Sequence, residues 1–84
     1  MTRTINESVN VTGYYFKQGR SFPSRVQFGT QELFFEPTGL RCLVKMGQDI
    51  IEIFNMTDGR DQYRLKFEPS ARNWTLLTRR MVNN

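Results

Sequence analysis

Turn signals follow one another along this chain too closely for helices to fit between them. Gly29-Thr30, the tetrapeptide from Glu36 to Gly39, Gly47-Gln48, Thr57 to Gly59, and the stretch from Glu68 to Asn73 carry the Gly, Pro, Asp and Asn that tight turns require. The stretches between them alternate apolar and polar residues and are rich in Phe, Val, Ile and Tyr, which is the pattern of half-buried strands. The spacing predicts an all-β antiparallel meander of six to seven short strands, over residues 9–17, 24–28, 31–35, 40–45, 50–55, 62–67 and 74–80. One sheet face needs cover and no helix is predicted, so the expected closure is a small up-and-down barrel or a flattened sandwich. Two flat sheets meeting in a dimer are the alternative.

Short turns fix register, and register decides which side chains share a face. A Gly29-Thr30 turn pairs Val26 with Leu33 and Arg25 with Phe34. A turn opened by Pro37 pairs Phe35 with Leu40, Leu33 with Cys42, and Phe34 with Arg41. Gly47-Gln48, with glycine first as a type II′ turn prefers, pairs Val44 with Ile51 and Cys42 with Ile53. At Thr57-Asp58-Gly59 a bulged three-residue loop avoids mixing charge into the apolar face, and it pairs Ile53 with Tyr63, Ile51 with Leu65, and Glu52 with Arg64. Closing the loop before Asn73 sets Phe67 against Trp74 and Leu65 against Leu76. The predicted inner face is then Val26, Phe28, Leu33, Phe35, Leu40, Cys42, Val44, Ile51, Ile53, Tyr63, Leu65, Phe67, Trp74 and Leu76. The repeated Phe-Glu-Pro at 35–37 and 67–69 reflects a turn used twice, because the residues before it, Glu-Leu-Phe and Arg-Leu-Lys, share no polarity pattern.

With 84 residues the chain makes one domain, 1–84, with flexible ends expected at 1–8 and 81–84 and a flexible connection at 17–23. Aromatic residues at 13% supply enough apolar area for a core without disulfide or metal. Cys42 is the single cysteine, which excludes an internal disulfide and points to a reducing compartment and a buried thiol. No leader-like or membrane-length apolar run is present, so a cytoplasmic protein with no membrane partner is expected. The four Asn-x-Ser/Thr sequons then have no consequence.

Chemistry for catalysis is scarce. There is no histidine, no phosphate-cradling glycine loop and no metal-ligand spacing, and Asp58 and Asp61 sit where turn geometry uses aspartate. A non-enzyme without cofactor or metal is expected. The predicted outer face is more informative, because it sets cations beside apolar groups: Phe34, Arg41, Lys45, Phe54, Arg64, Lys66 and Arg79 are the candidate partner-binding residues. The net charge of +4, from twelve Lys and Arg against eight Asp and Glu, fits such a face. The expected role is protein–protein binding or self-association through it. The alternative is single-stranded nucleic acid, since aromatics beside arginines resemble in chemistry the surfaces that stack bases and neutralise phosphates.

Overall fold

A computed structural model describes residues 1–82 and contains seven antiparallel strands: β1 (Thr2–Lys17), β2 (Arg20–Phe28), β3 (Gln31–Phe34), β4 (Leu40–Met46), β5 (Asp49–Thr57), β6 (Gln62–Glu68) and β7 (Asn73–Arg80). They form one sheet in the order β3-β2-β1-β7-β6-β5-β4. The fold is therefore all-β and follows the chain as a meander, cut between β3 and β4. Three tight turns set much of the register. Gln18-Gly19, with φ of 54° and 76°, makes a type I′ turn, and Gly29 and Gly47, at 61° and 63°, each open a type II′ turn. These types match the right-handed strand twist. The pairs Val26–Leu33, Val44–Ile51, Cys42–Ile53, Phe67–Trp74 and Leu65–Leu76 form as the sequence predicts.

β1 holds the fold together because it belongs to both halves of the sheet. Its first half pairs with β7, from Thr2–Arg80 to Val9–Trp74, and its second half pairs with β2, from Asn10–Gln27 to Lys17–Arg20. Register breaks between Thr4 and Glu7, with Asn6 at φ 55°, and around Gly13 bend the strand between these duties. The sheet folds over along this bend, so that Phe22 of β2 meets Phe54 of β5 edge to face at 5.6 Å. Phe35 meets Tyr63 at 5.2 Å across the same interior. Val9, Phe22, Val26, Phe35, Phe54, Met56, Tyr63, Leu65 and Leu76 form the buried core, with Tyr15, Phe28, Leu33, Phe67 and Trp74 packed against it.

The barrel, one of the two closures expected from the sequence, does not form, because β3 and β4 do not pair. The chain between them crosses from one arm to the other: the Phe35 N–H donates to the Ser24 carbonyl of β2 and the next N–H, of Glu36, donates to the Thr57 carbonyl of β5, each at 2.8 Å. Gly39 then packs so closely on Met56 that a Cβ would collide with its sulfur. Its N–H donates to the Tyr15 hydroxyl and its carbonyl accepts from Lys17 Nζ. The turn predicted at Pro37 is thus a strap between arms, and the pairs Phe35–Leu40, Leu33–Cys42 and Phe34–Arg41 do not exist.

Two further expectations are overturned. Residues 2–8 are strand instead of a flexible end, and 17–23 is a tight turn running into β2. At the other terminus the Met81 N–H donates to the Met1 carbonyl at 2.9 Å, whereas residues 83–84 of the expected flexible tail lie outside the described residues. The connection from β5 to β6 is a four-residue loop, 58–61, which pairs Thr57 with Gln62, Phe54 with Leu65, and Ile53 with Lys66. That register reverses the faces of β4 and β5 relative to the sequence reading. Phe54 and Met56 enter the core, while Leu40, Cys42 and Val44 are exposed. Replacing Phe54 by Ala, or Trp74 whose ring lies 5.2 Å from it, should cost about 3–5 kcal/mol in urea unfolding, because each empties a site walled by aromatic rings.

Candidate functional site

The seven residues proposed from the sequence do not form one patch. Phe54 is 1% exposed and available to no partner, which removes the apolar centre of the expected face. Phe34 is exposed beside Arg25, but on β3, at the far end of the strand order from β4. Arg41 lies opposite Phe54 and is tied by Nε to Glu52 Oε1 at 2.7 Å. Lys66 is half-buried and pairs with Glu68 at 3.3 Å. Arg64 is exposed and donates to Asn55 Oδ1 at 3.0 Å. Lys45 is exposed, with no ion-pair partner among the described residues.

Arg79 has a structural task. Its Nε and Nη2 both donate to Asp61 Oδ2, at 2.9 and 2.7 Å, and its guanidinium lies 5.6 Å from the centre of the Tyr63 ring. Asp61 is 3% exposed, so this pair supplies the counter-charge that a buried carboxylate needs. The same loop is pinned through Asp58, whose Oδ1 accepts from the N–H groups of Arg60 and Asp61 and whose Oδ2 accepts from the Tyr63 hydroxyl at 3.1 Å. Partial burial would raise the Asp58 pKa, but these donors outweigh it and hold the carboxyl below its ordinary value. Burial, and then the bond to Asp58, pushes Tyr63 up to about 12.

What the sequence reading missed is the β4–β5 hairpin. β4 ends the sheet, so one long side of its backbone has no strand partner among the described residues. In a two-residue hairpin closed by Met46 and Asp49, the residues Leu40, Cys42, Val44 and Met46 exchange hydrogen bonds with β5. The N–H and C=O groups of Arg41, Leu43 and Lys45 therefore face the open side. Both faces of the ribbon carry exposed apolar groups as well, although Ile51 beside Val44 is buried. Leu40, Val44 and Met46 are 66%, 40% and 58% exposed on one face, and Leu43 and Ile50 are 55% and 54% exposed on the other. Exposed Cys42 lies among the first group. Natural edge strands use charge to discourage pairing, but here Glu52 neutralises Arg41 and leaves Lys45 as the one cation without an ion-pair partner on β4 among the described residues. The signal was legible in Leu-Arg-Cys-Leu-Val-Lys-Met, where Leu40, Cys42, Val44 and Met46 fill one alternating phase and Leu43 stands between two cations in the other.

An open cleft of about 820 Å³ adjoins the start of this edge, lined among others by Leu40, Asn55, Arg64, Thr78 and Arg80. It offers two cations but no exposed aromatic ring, since Tyr63, the one aromatic in its lining, is 3% exposed. Among the described residues no three His, Cys, Asp or Glu side chains group to hold a metal ion. Among the described residues no helix is long and apolar enough to cross a membrane.

No family model, curated protein or solved structure matches the chain.

The Tyr63–Asp58 bond makes a signed prediction about pH. A tyrosine pKa raised on folding contributes stability that is fully present below the unfolded value near 10 and is lost as pH rises through about 12. Tyr63→Phe should abolish that alkaline component while leaving the neutral-pH fold intact. Urea midpoints of both proteins at pH 8 and pH 11 test it, and equal losses in the two would refute it.

Proposed function

We propose that this protein is a non-catalytic interaction module that binds another polypeptide along the β4 edge of its sheet. The observation that carries the proposal is the combination on β4 of an unpaired backbone row with apolar side chains exposed on both faces. Strand addition satisfies both at once: main-chain hydrogen bonds go to Arg41, Leu43 and Lys45, and the alternating side chains of the incoming strand lie beside Leu40, Cys42 and Val44 on one face and Leu43 on the other. Beyond the last β5–β6 pair, Glu52–Phe67, the tip of the hairpin stands as two strands only, and a third strand there also stabilises it. The reading supports a cytoplasmic location, because an exposed thiol at a binding edge keeps its reduced form in a reducing compartment.

Phe34, at the other edge, and Arg64 and Lys66 fall outside this surface, whereas Arg41 and Lys45 remain within it. Single-stranded nucleic acid fits less well. Phe54, the aromatic platform it required, is in the core, and the cations of the cleft stand without an exposed ring.

Selection of peptides from a random library on the immobilised, dilute protein should return extended, β-prone sequences. Leu43→Pro should reduce their binding by at least about tenfold, because it removes a donor on the open side while the ladder to β5 stays intact. A protein that selects no such peptide, yet binds oligothymidine with an affinity falling steeply with salt, would reverse the assignment.

A further inference from the structure

We infer that the strand which adds to β4 is β4 of a second copy, paired antiparallel about a two-fold axis through Cys42. This inference rests on the reading of β4 as a polypeptide-binding edge and names its partner.

Residues directly opposite one another in an antiparallel pair lie on the same face, so a two-fold pairing of β4 with itself must centre on a residue. Three centres overlap most of the strand. Centring on Leu43 sets Arg41 against Lys45 of the second copy, so that two cations share the single carboxylate of Glu52 on each side of the axis, which is unfavourable. Centring on Val44 sets Leu40 against Gln48 of the second copy and Arg41 against its Gly47, in the turn. Centring on Cys42 avoids both. Leu40 then faces Val44 of the second copy, Arg41 faces its Leu43, and Cys42 faces its own equivalent. Gly39 of the second copy is buried and already bonded to Tyr15 and Lys17, so the ladder ends at the Leu40–Val44 pair and leaves Lys45 beyond it.

The same register is in phase with the backbone. Arg41 and Leu43 both present their N–H and C=O to the open side, so the Arg41–Leu43 pair and its symmetry mate exchange about four main-chain hydrogen bonds. Across the joined sheets the row Ile53–Cys42–Cys42–Ile53 runs between two rows in which Ile51, Val44 and Leu40 are consecutive. The exposed apolar side chains of one ribbon face thus become a continuous block. On the other face, Glu52 already neutralises Arg41 where it adjoins Leu43 of the second copy. An acidic extended peptide would match Lys45, but it would lose the apolar row-for-row match that the strand makes with itself.

The register carries its own reporter. Cys42 and its equivalent form a non-hydrogen-bonded pair, where Cα atoms stand about 4.5 Å apart. That lies within the span a disulfide bridges, from about 4.4 to 6.8 Å. Analytical ultracentrifugation of the reduced full chain over a range of concentrations should show a monomer–dimer equilibrium. Adding diamide, which takes one hydrogen from each of two thiols as the S–S bond forms, should trap a covalent dimer. Its rate should be independent of protein concentration once the dimer is populated, and Cys42→Ser should dimerise without being trapped. Leu43→Lys, which sets a cation against Arg41 of the second copy, should weaken dimerisation at least about tenfold with an unchanged near-ultraviolet spectrum.

A dimer that diamide does not trap, or that survives Leu43→Lys, would overturn the register. A natively folded chain that stays monomeric at all concentrations would overturn the second copy as partner. If such a monomer still selects strand-forming peptides that Leu43→Pro abolishes, the edge reading stands and only its occupant is wrong. Loss of both results would remove the edge reading itself.

Discussion

Phe54 is the residue on which the two arms of the folded sheet agree. Its ring takes an edge from Phe22 on the β2 side and a tilted face from Trp74 on the β7 side, and Trp74 in turn lies 4.7 Å from Phe67. With the Phe35–Tyr63 contact and the strap through Glu36 and Gly39, that inward aromatic closes the arm ending in β4 on the arm ending in β3, which β1 joins only at a bend. The position of Phe54 is decided by a loop that touches none of the Phe22, Phe54, Phe67 and Trp74 rings. Asp58 gathers two backbone N–H groups and the Tyr63 hydroxyl, and Thr57 Oγ1 donates to the Asp61 carbonyl. Together these set the four-residue connection that brings β6 back in the register placing Phe54 inside.

That dependence explains which parts of the fold could be read from the sequence. Turns specified by glycine geometry, at Gly29 and Gly47, fix register locally, and their strand pairs follow without knowledge of the rest. The loop at Asp58 depends on side-chain hydrogen bonds from Tyr63 and Thr57, and on Asp61 finding Arg79 eighteen residues along the chain. None of these appears as a local pattern. A choice of loop length based on keeping charge off one face went wrong because β5 is apolar in both phases and its inward face carries Glu52 beside Phe54 and Met56. The first half of β1 was missed for the opposite reason. Thr-Arg-Thr-Ile-Asn-Glu-Ser contributes little more than Ile5 to the interior and is strand because β7 lies beside it.

The candidate site follows the same division. The cations picked from the sequence are mostly consumed by local partners: Arg41 by Glu52, Lys66 by Glu68, and Arg79 by Asp61. Such pairs were invisible without the register. What remains uncovered is the ribbon that the corrected register turns away from the core, and its apolar character was in the sequence throughout, assigned to the wrong side.

The long span of the β1–β7 ladder has a consequence for the order in which the chain becomes a folded object. Thr2 pairs with Arg80, so the two arms cannot be locked together until the seventh strand has been synthesised. The β4–β5 hairpin, by contrast, needs only its own glycine turn and forms early from neighbouring residues. During translation that hairpin forms transiently beside an unfinished molecule, with its hydrogen-bonding row and apolar groups open to the nascent chains of adjacent ribosomes. An edge that can recognise its own copy in the finished protein is therefore available for co-translational encounter before the rest of the fold exists to restrict it.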